Sequence, residues 1–153
     1  MKKLLCVMAV LGVAAIAATP AQAARHKHTI DGTAKIATIE STGSPPVSGS
    51  VEYAGSFKGS LGSGAILGHN DFGPVVGDFH GTLRAFFTKG TLKGTLEGSG
   101  GPGPGGGIDF SGSGKITKGT GKYKGAKGKF TVEGTQPPGS TVTTFAVTGS
   151  VKY

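Results

Sequence analysis

The chain has 153 residues, with Gly 30, Pro 8, Cys 1 and Trp 0, and a formal net charge of +8. Glycine is about three times its usual share of ~7%. Without a Gly-x-x period this excludes collagen, and glycine's poor standing inside helices excludes a helical bundle. The length fits one ordinary domain.

Residues 1–23 read as a signal peptide. Lys2 and Lys3 form a positive n-region and Leu4 to Ala18 an apolar stretch, shorter than the ~20 residues a membrane helix needs. Ala21-Gln22-Ala23 is an A-x-A cleavage site, preceded by Pro20. Cys6 lies inside the apolar region and not at the cleavage point, so lipidation is not expected. Cleavage would remove Lys2, Lys3 and Cys6. Lys+Arg falls from 16 to 14 against Asp+Glu 8, for a net charge of +6, and no cysteine remains. An exported domain of this size without disulfides must hold by its own core, which favours a closed barrel over a small open sheet.

Residues 24–29, with Arg25, His26, Lys27 and His28, read as a polar leader, and a single domain is expected over residues 30–153. Ile30, Ala34, Ile36 and Thr38 share one face of a first strand. Gly43 to Gly49, with Pro45-Pro46, reads as a loop. Val51, Tyr53, Gly55 and Phe57 alternate with Glu52, Ala54, Ser56 and Lys58, a half-buried strand. Leu61 to Leu67 continues as a short strand, and His69-Asn70-Asp71 with Gly73-Pro74 reads as a loop.

Phe79, Gly81, Leu83, Ala85 and Phe87 then share one face, opposite Asp78, His80, Thr82, Arg84 and Phe86. A tight turn at Thr88-Lys89-Gly90 leads to Leu92, Gly94 and Leu96 on one face. Gly98 to Gly107, with Pro102 and Pro104, reads as a loop in which nothing packs. Ile108, Phe110, Gly112, Gly114 and Ile116 resume the alternation. After a connection over Lys118 to Lys124 come Ala126, Gly128, Phe130 and Val132. Pro137-Pro138-Gly139 is a turn. The last strand, from about Thr141 to Tyr153, puts Thr143, Phe145, Val147, Gly149, Val151 and Tyr153 on one face. These roughly eight antiparallel strands are enough to close an all-β barrel with a filled or small-ligand interior. A two-sheet β-sandwich is the alternative that alternation alone leaves open.

Gly90 to Leu96 and Gly119 to Gly125 echo each other weakly, as neighbouring hairpin chemistry and not a solenoid repeat. The second of these runs lies in the most distinctive segment, Ile116 to Gly128. There Gly119, Thr120, Gly121, Tyr123, Gly125, Ala126 and Gly128 match a G-T-G-x-[FY]-x-G-A-x-G pattern. This resembles the signature of the allene oxide cyclase and dirigent barrel superfamily, in the manner of secreted bacterial members. The resemblance implies an eight-stranded antiparallel barrel, secretion to the cell exterior and, by analogy with many relatives, a homo-trimer. It covers about ten residues, with a matching strand rhythm beyond them, and brings no counterparts of the catalytic residues. It therefore speaks to fold more than to activity. On physical grounds the motif is a structural corner. Gly119 and Gly121 permit positive φ beside a threonine that bonds the local backbone, and Tyr123 packs over a neighbouring strand with its hydroxyl near water.

Residues 98–107 lack the lysine, the Ser/Thr and the helix of a phosphate loop. His26 and His28, spaced i, i+2, have no third ligand, so no metal site is expected, and no cofactor motif occurs. No nucleophile elbow is present. The candidates for lining a cavity are Tyr53, on an apolar face, and Asp78, His80 and Arg84 on one strand face, where successive same-face residues lie about 6.8 Å apart. If that face looks inward, His80 exchanges protons and Arg84 holds an anion; if outward, they form a solvated face, since Phe79, Leu83, Ala85 and Phe87 are the stronger core set. Lys115, Lys118, Lys122, Lys124, Lys127 and Lys129 suggest contact with anionic cell-surface material or simply a soluble lysine-rich exterior. Nucleic acid is not an expected partner. The readings this supports are a secreted barrel that binds a small apolar molecule or a surface component and, as the alternative, a cyclase or coupling guide acting in the barrel cavity. The residues leave catalysis open.

Overall fold

A computed structural model describes residues 25–153. The expected signal peptide, with Lys2, Lys3, Cys6 and the Ala21-Gln22-Ala23 site, lies outside the described residues, as does Ala24. Eight strands follow one another: β1 (Lys27–Ser44), β2 (Ser48–Gly59), β3 (Gly62–Phe72), β4 (Asp78–Phe87), β5 (Gly90–Pro102), β6 (Ile108–Gly119), β7 (Lys127–Gln136) and β8 (Val142–Lys152). Each pairs antiparallel with the next, and β8 pairs with β1, from Lys27 opposite Lys152 to Ala37 opposite Val142. The sheet is thus a closed barrel, not a sandwich, and closure removes the free edges a small sheet would expose.

The alternation sorts the faces. Ile30, Phe57, Phe79, Leu92, Ile116, Phe130 and Val151 are buried inside, while the lysines, acids and most threonines stand outside. A lipid-facing barrel has the inverse arrangement.

Three stretches differ from the sequence expectation. β1 begins at Lys27, inside the expected leader, because His28 pairs with Val151 and stacks its ring on Tyr153 at 4.2 Å. His69, Asn70 and Asp71 belong to β3 and not to a loop. They pair with Glu52, Val51 and Ser50 on one side and with Thr82, Gly81 and His80 on the other. β5 runs on to Pro102, so Gly98 to Gly101 are strand as well.

The glycines explain that last difference and much of the composition. Six inward aromatic rings each lie directly across the ladder from a glycine: Tyr53 from Gly68, Phe87 from Gly64, Phe79 from Gly98, Phe110 from Gly100, Phe130 from Gly114 and Phe145 from Gly134. A Cβ added at any of these glycines would overlap the opposite ring. Each ring therefore lies along the wall over its glycine instead of projecting across the lumen. Residues 98–101, read from composition as unable to pack, are the seats of Phe79 and Phe110.

Candidate functional site: an apolar lumen open at one end

The two ends of the barrel differ. The β2–β3, β4–β5 and β6–β7 connections and the C-terminus gather at one end, which is closed. Its plug is the Gly-Thr-Gly segment. Gly121 has φ +57 and lies against the Lys89 carbonyl, which accepts a 2.8 Å bond from the Lys122 N–H. Thr120 and Thr91 bond hydroxyl to hydroxyl at 2.8 Å, and the Thr91 N–H donates to Thr120 Oγ1 at 3.1 Å. The echo between the two Gly-Thr segments is thus a direct contact. The short 3-10 turn Gly121–Tyr123 swings Tyr123 inward. It is 2% exposed, and its hydroxyl donates to the Leu61 carbonyl across the barrel at 3.1 Å. Its ring meets Phe87 and Tyr153, with centroids 5.4 and 5.0 Å away. The hydroxyl is therefore not near water as the sequence suggested, and burial raises its pKa, with the neighbouring Tyr153 adding to the shift. Gly119 does not take a positive φ. It is required because a side chain there would overlap the Tyr123 backbone.

The other end is open. Above the plug lies a cavity of about 700 Å³, within the range of small-molecule sites, ~300–1,000 Å³. Its wall is aliphatic and aromatic. Toward the mouth Phe72, Phe79, Phe110 and Phe145 form an arc of successive ring contacts, 5.9 to 6.5 Å between centroids. The rim comes from the β1–β2, β3–β4 and β5–β6 connections, with Pro45, Pro46, Val76 and Gly107. It is tied together by backbone bonds from Gly77 to the Pro46 carbonyl and from Gly100 to the Gly77 carbonyl, both 3.0 Å. Val47, Val75, Val76, Ile108 and Val142 are exposed around this mouth.

Among the described residues, no charged side chain lines the lumen. The polar ones are Thr38, Tyr53, Asn70, Gln136 and Thr143. Tyr53 reaches the Thr82 carbonyl at 3.5 Å. Burial, with the Glu52 charge adding to it, pushes its phenol far above the ordinary range. Thr143 donates to Gln136 Oε1 at 3.4 Å. Asn70 differs: its Oδ1 is buried over Gly81 with no hydrogen-bond partner.

Of the sequence candidates, Tyr53 lines the lumen and Asp78, His80 and Arg84 do not. β4 turns Phe79, Leu83 and Ala85 inward, so strand alternation carries the three polar residues to the outer wall. There Arg84 lies over the Phe86 ring at 5.7 Å and His80 stands 4.0 Å from Asp71. The outer wall holds a tighter group that the loop reading of residues 69–71 hid. His69 lies between Glu52, at 2.7 Å from Nδ1, and Asp71, at 3.1 Å from Nε2. Hydrogen bonds to these carboxylates, first Glu52 and then Asp71, raise its pKa. The group offers no nucleophile and favours a protonated imidazole.

Charge is also sorted along the barrel axis. In every strand carrying both signs, the acid stands nearer the mouth than any basic residue: Glu40 beyond Lys35, Glu52 beyond Lys58, Asp78 beyond Arg84, Glu97 beyond Lys93, Asp109 beyond Lys115 and Glu133 beyond Lys129. Asp31 is the exception. The lysines of the Gly-Thr-Gly segment, Lys122 and Lys124, sit at the closed end.

No family model, curated protein or solved structure matches this chain. The lumen's geometry is therefore the ground for a functional reading.

Proposed function

We propose that this barrel is a binding protein that takes one small apolar molecule into its lumen through the open mouth. The observation that carries the reading is the hollow, aromatic-lined interior of about 700 Å³, kept open because six rings lie flat over glycines. Removing apolar surface from water drives such uptake at roughly 25 cal/mol per Å². The binding reading is preferred over a cyclase or coupling guide because, among the described residues, Tyr53 is the one ionisable side chain on the lumen wall, and a phenol, here raised further by burial, is neutral at physiological pH. The reading includes export, with the ligand met outside the cytoplasm after cleavage at Ala23. Intact-mass analysis of the exported protein should then give Ala24 as the first residue.

The test of uptake is titration with N-phenyl-1-naphthylamine, whose emission rises in apolar surroundings. Saturable binding at one probe per chain is expected. Ala85→Trp, which places an indole in the lumen, should weaken uptake while the far-ultraviolet circular dichroism stays that of the parent. Uptake that does not saturate, or that a folded Ala85→Trp variant leaves unchanged, would contradict the reading.

A second reading concerns the outer wall and is favoured by the axial charge order. The basic closed end would face anionic cell-surface material while the acidic mouth points away. Replacing Lys122, Lys124 and Lys127 with Ser should then lower retention by acidic polymers at low salt, where charge effects are largest.

A further inference from the structure

We infer that the lumen selects an uncharged amphiphile with a single hydroxyl-type head group, and that it turns away the carboxylate of the same chain length. This rests on the reading of the lumen as a ligand site. Three features agree on it. The first is Asn70, a carboxamide in an apolar wall whose oxygen has no partner. That oxygen is covered by the wall at Gly81, so a ligand reaches the carboxamide through the edge that faces the lumen. A half-turn about the last side-chain bond exchanges the oxygen and the NH2, so the carboxamide meets either partner. A hydroxyl, which both donates and accepts, suits it in both orientations.

The second feature is the absence of any cationic side chain from the lumen wall among the described residues. A carboxylate drawn inside would lose its water and gain no counter-charge, which is far more costly than burying a hydroxyl. The third is the field at the mouth. Glu40, Asp78, Glu97 and Asp109 stand on the mouth side of the outer wall, and the basic residues of their strands lie toward the plug. An approaching anion meets like charge first, over a range of ~10 Å at 0.1 M salt.

The position of Asn70 also sets the ligand's direction. It is two residues from the mouth end of β3, with Phe72 between it and the rim. Deeper in the lumen, Phe57, Ile66, Leu92 and Ile116 offer only apolar surface. The head group therefore sits near the mouth and the chain points toward Tyr123.

The test uses octane, 1-octanol and octanoate as competitors for bound N-phenyl-1-naphthylamine, on the folded protein at pH 8 and low salt. Octanol should displace the probe at a concentration at least about tenfold below that of octanoate. Asn70→Leu should weaken octanol several-fold while octane competes at least as well as it does against the parent. A triple change confined to the outer wall, Glu40→Gln, Asp78→Asn and Glu97→Gln, should improve octanoate a few-fold and leave octanol unchanged. The triple change leaves the lumen untouched, so it decides the charge component even if Asn70→Leu folds poorly. Octanoate competing as well as octanol, or octanol and octane responding alike to Asn70→Leu, would overturn the inference and leave probe binding standing. Failure of the probe itself to bind would overturn the lumen reading and this inference with it.

Discussion

The two ends of the barrel are built from different chemistry. At the closed end, tight backbone turns, threonine pairs and stacked rings converge on Tyr123, and the packing leaves no room. At the mouth, the same strands end in proline- and glycine-bearing loops, the rings stand against the wall, and valines face water. The difference shows how a small barrel without disulfides can be both stable and hollow: stability is concentrated in a plug at one end, which frees the other end to stay open. Substitutions at the plug should therefore act on folding, and substitutions at the mouth on ligand.

The largest effect expected is at Tyr123. Tyr123→Ala removes a ring that is 2% exposed and packed on Phe87 and Tyr153, and such truncations cost ~3–5 kcal/mol. Tyr123→Phe keeps the ring and loses only the bond to Leu61, a change of about 1 kcal/mol. Urea unfolding of the two variants would separate packing from hydrogen bonding, and equal losses would mean that the ring is not the plug.

Gly121→Ala comes next. With φ at +57, a non-glycine residue costs roughly 1–2 kcal/mol, and the new Cβ also meets the Lys89 carbonyl. A parental melting temperature would show that the turn is not held as described. By contrast, Val75→Ser and Val76→Ser at the mouth, where these side chains are 60% and 64% exposed, should change stability by less than about 0.5 kcal/mol. Their effect should appear in probe affinity. A large drop in melting temperature would erase the division of labour between the ends.

The last effect is electrostatic and is confined to alkaline pH. The Tyr53 phenol has its pKa raised by burial and by the Glu52 charge. The unfolded chain then releases this proton at lower pH than the native one. The stabilising contribution is complete below about pH 10, the unfolded value, and is lost as pH rises beyond it. Tyrosinate absorbance should therefore appear late for Tyr53 and together with alkaline unfolding. If Tyr53 ionises at its ordinary pH in the folded protein, its ring is not sealed in the wall.

The strand faces were legible in the sequence because alternation is strict where aliphatic residues mark it. Ile30 to Thr38, Phe79 to Phe87 and Thr143 to Tyr153 could each be assigned a face without coordinates. Strand number, short connections and the lack of cysteine after cleavage favoured a barrel, while alternation alone left a sandwich open. What stayed hidden has a common cause: turn-forming residues used as strand residues. Asn70 lies in a His-Asn-Asp run that reads as a loop, yet Ile66, Gly68, Asn70 and Phe72 continue the two-residue period. That run concealed both the polar residue of the lumen and the His69 carboxylate pair. Gly98 and Gly100 were hidden in the same way, since a glycine's partner ring comes from a different strand and local composition carries no trace of it. The axial order of charge can be read from the sequence only after each strand has been given its direction.

The central claim is that the interior above the plug is hollow and reached by ligand. The chain has no tryptophan, so one introduced residue reports its own surroundings without background. Leu83→Trp places an indole on the lumen wall, and Arg84→Trp places one on the outer wall beside it. Titration of both with a brominated alkyl alcohol, which quenches on contact, should give saturable quenching at one ligand per chain for Leu83→Trp and weak, non-saturating quenching for Arg84→Trp. Equal quenching of the two, or none at Leu83→Trp in a protein that melts as the parent does, would contradict a hollow and accessible lumen.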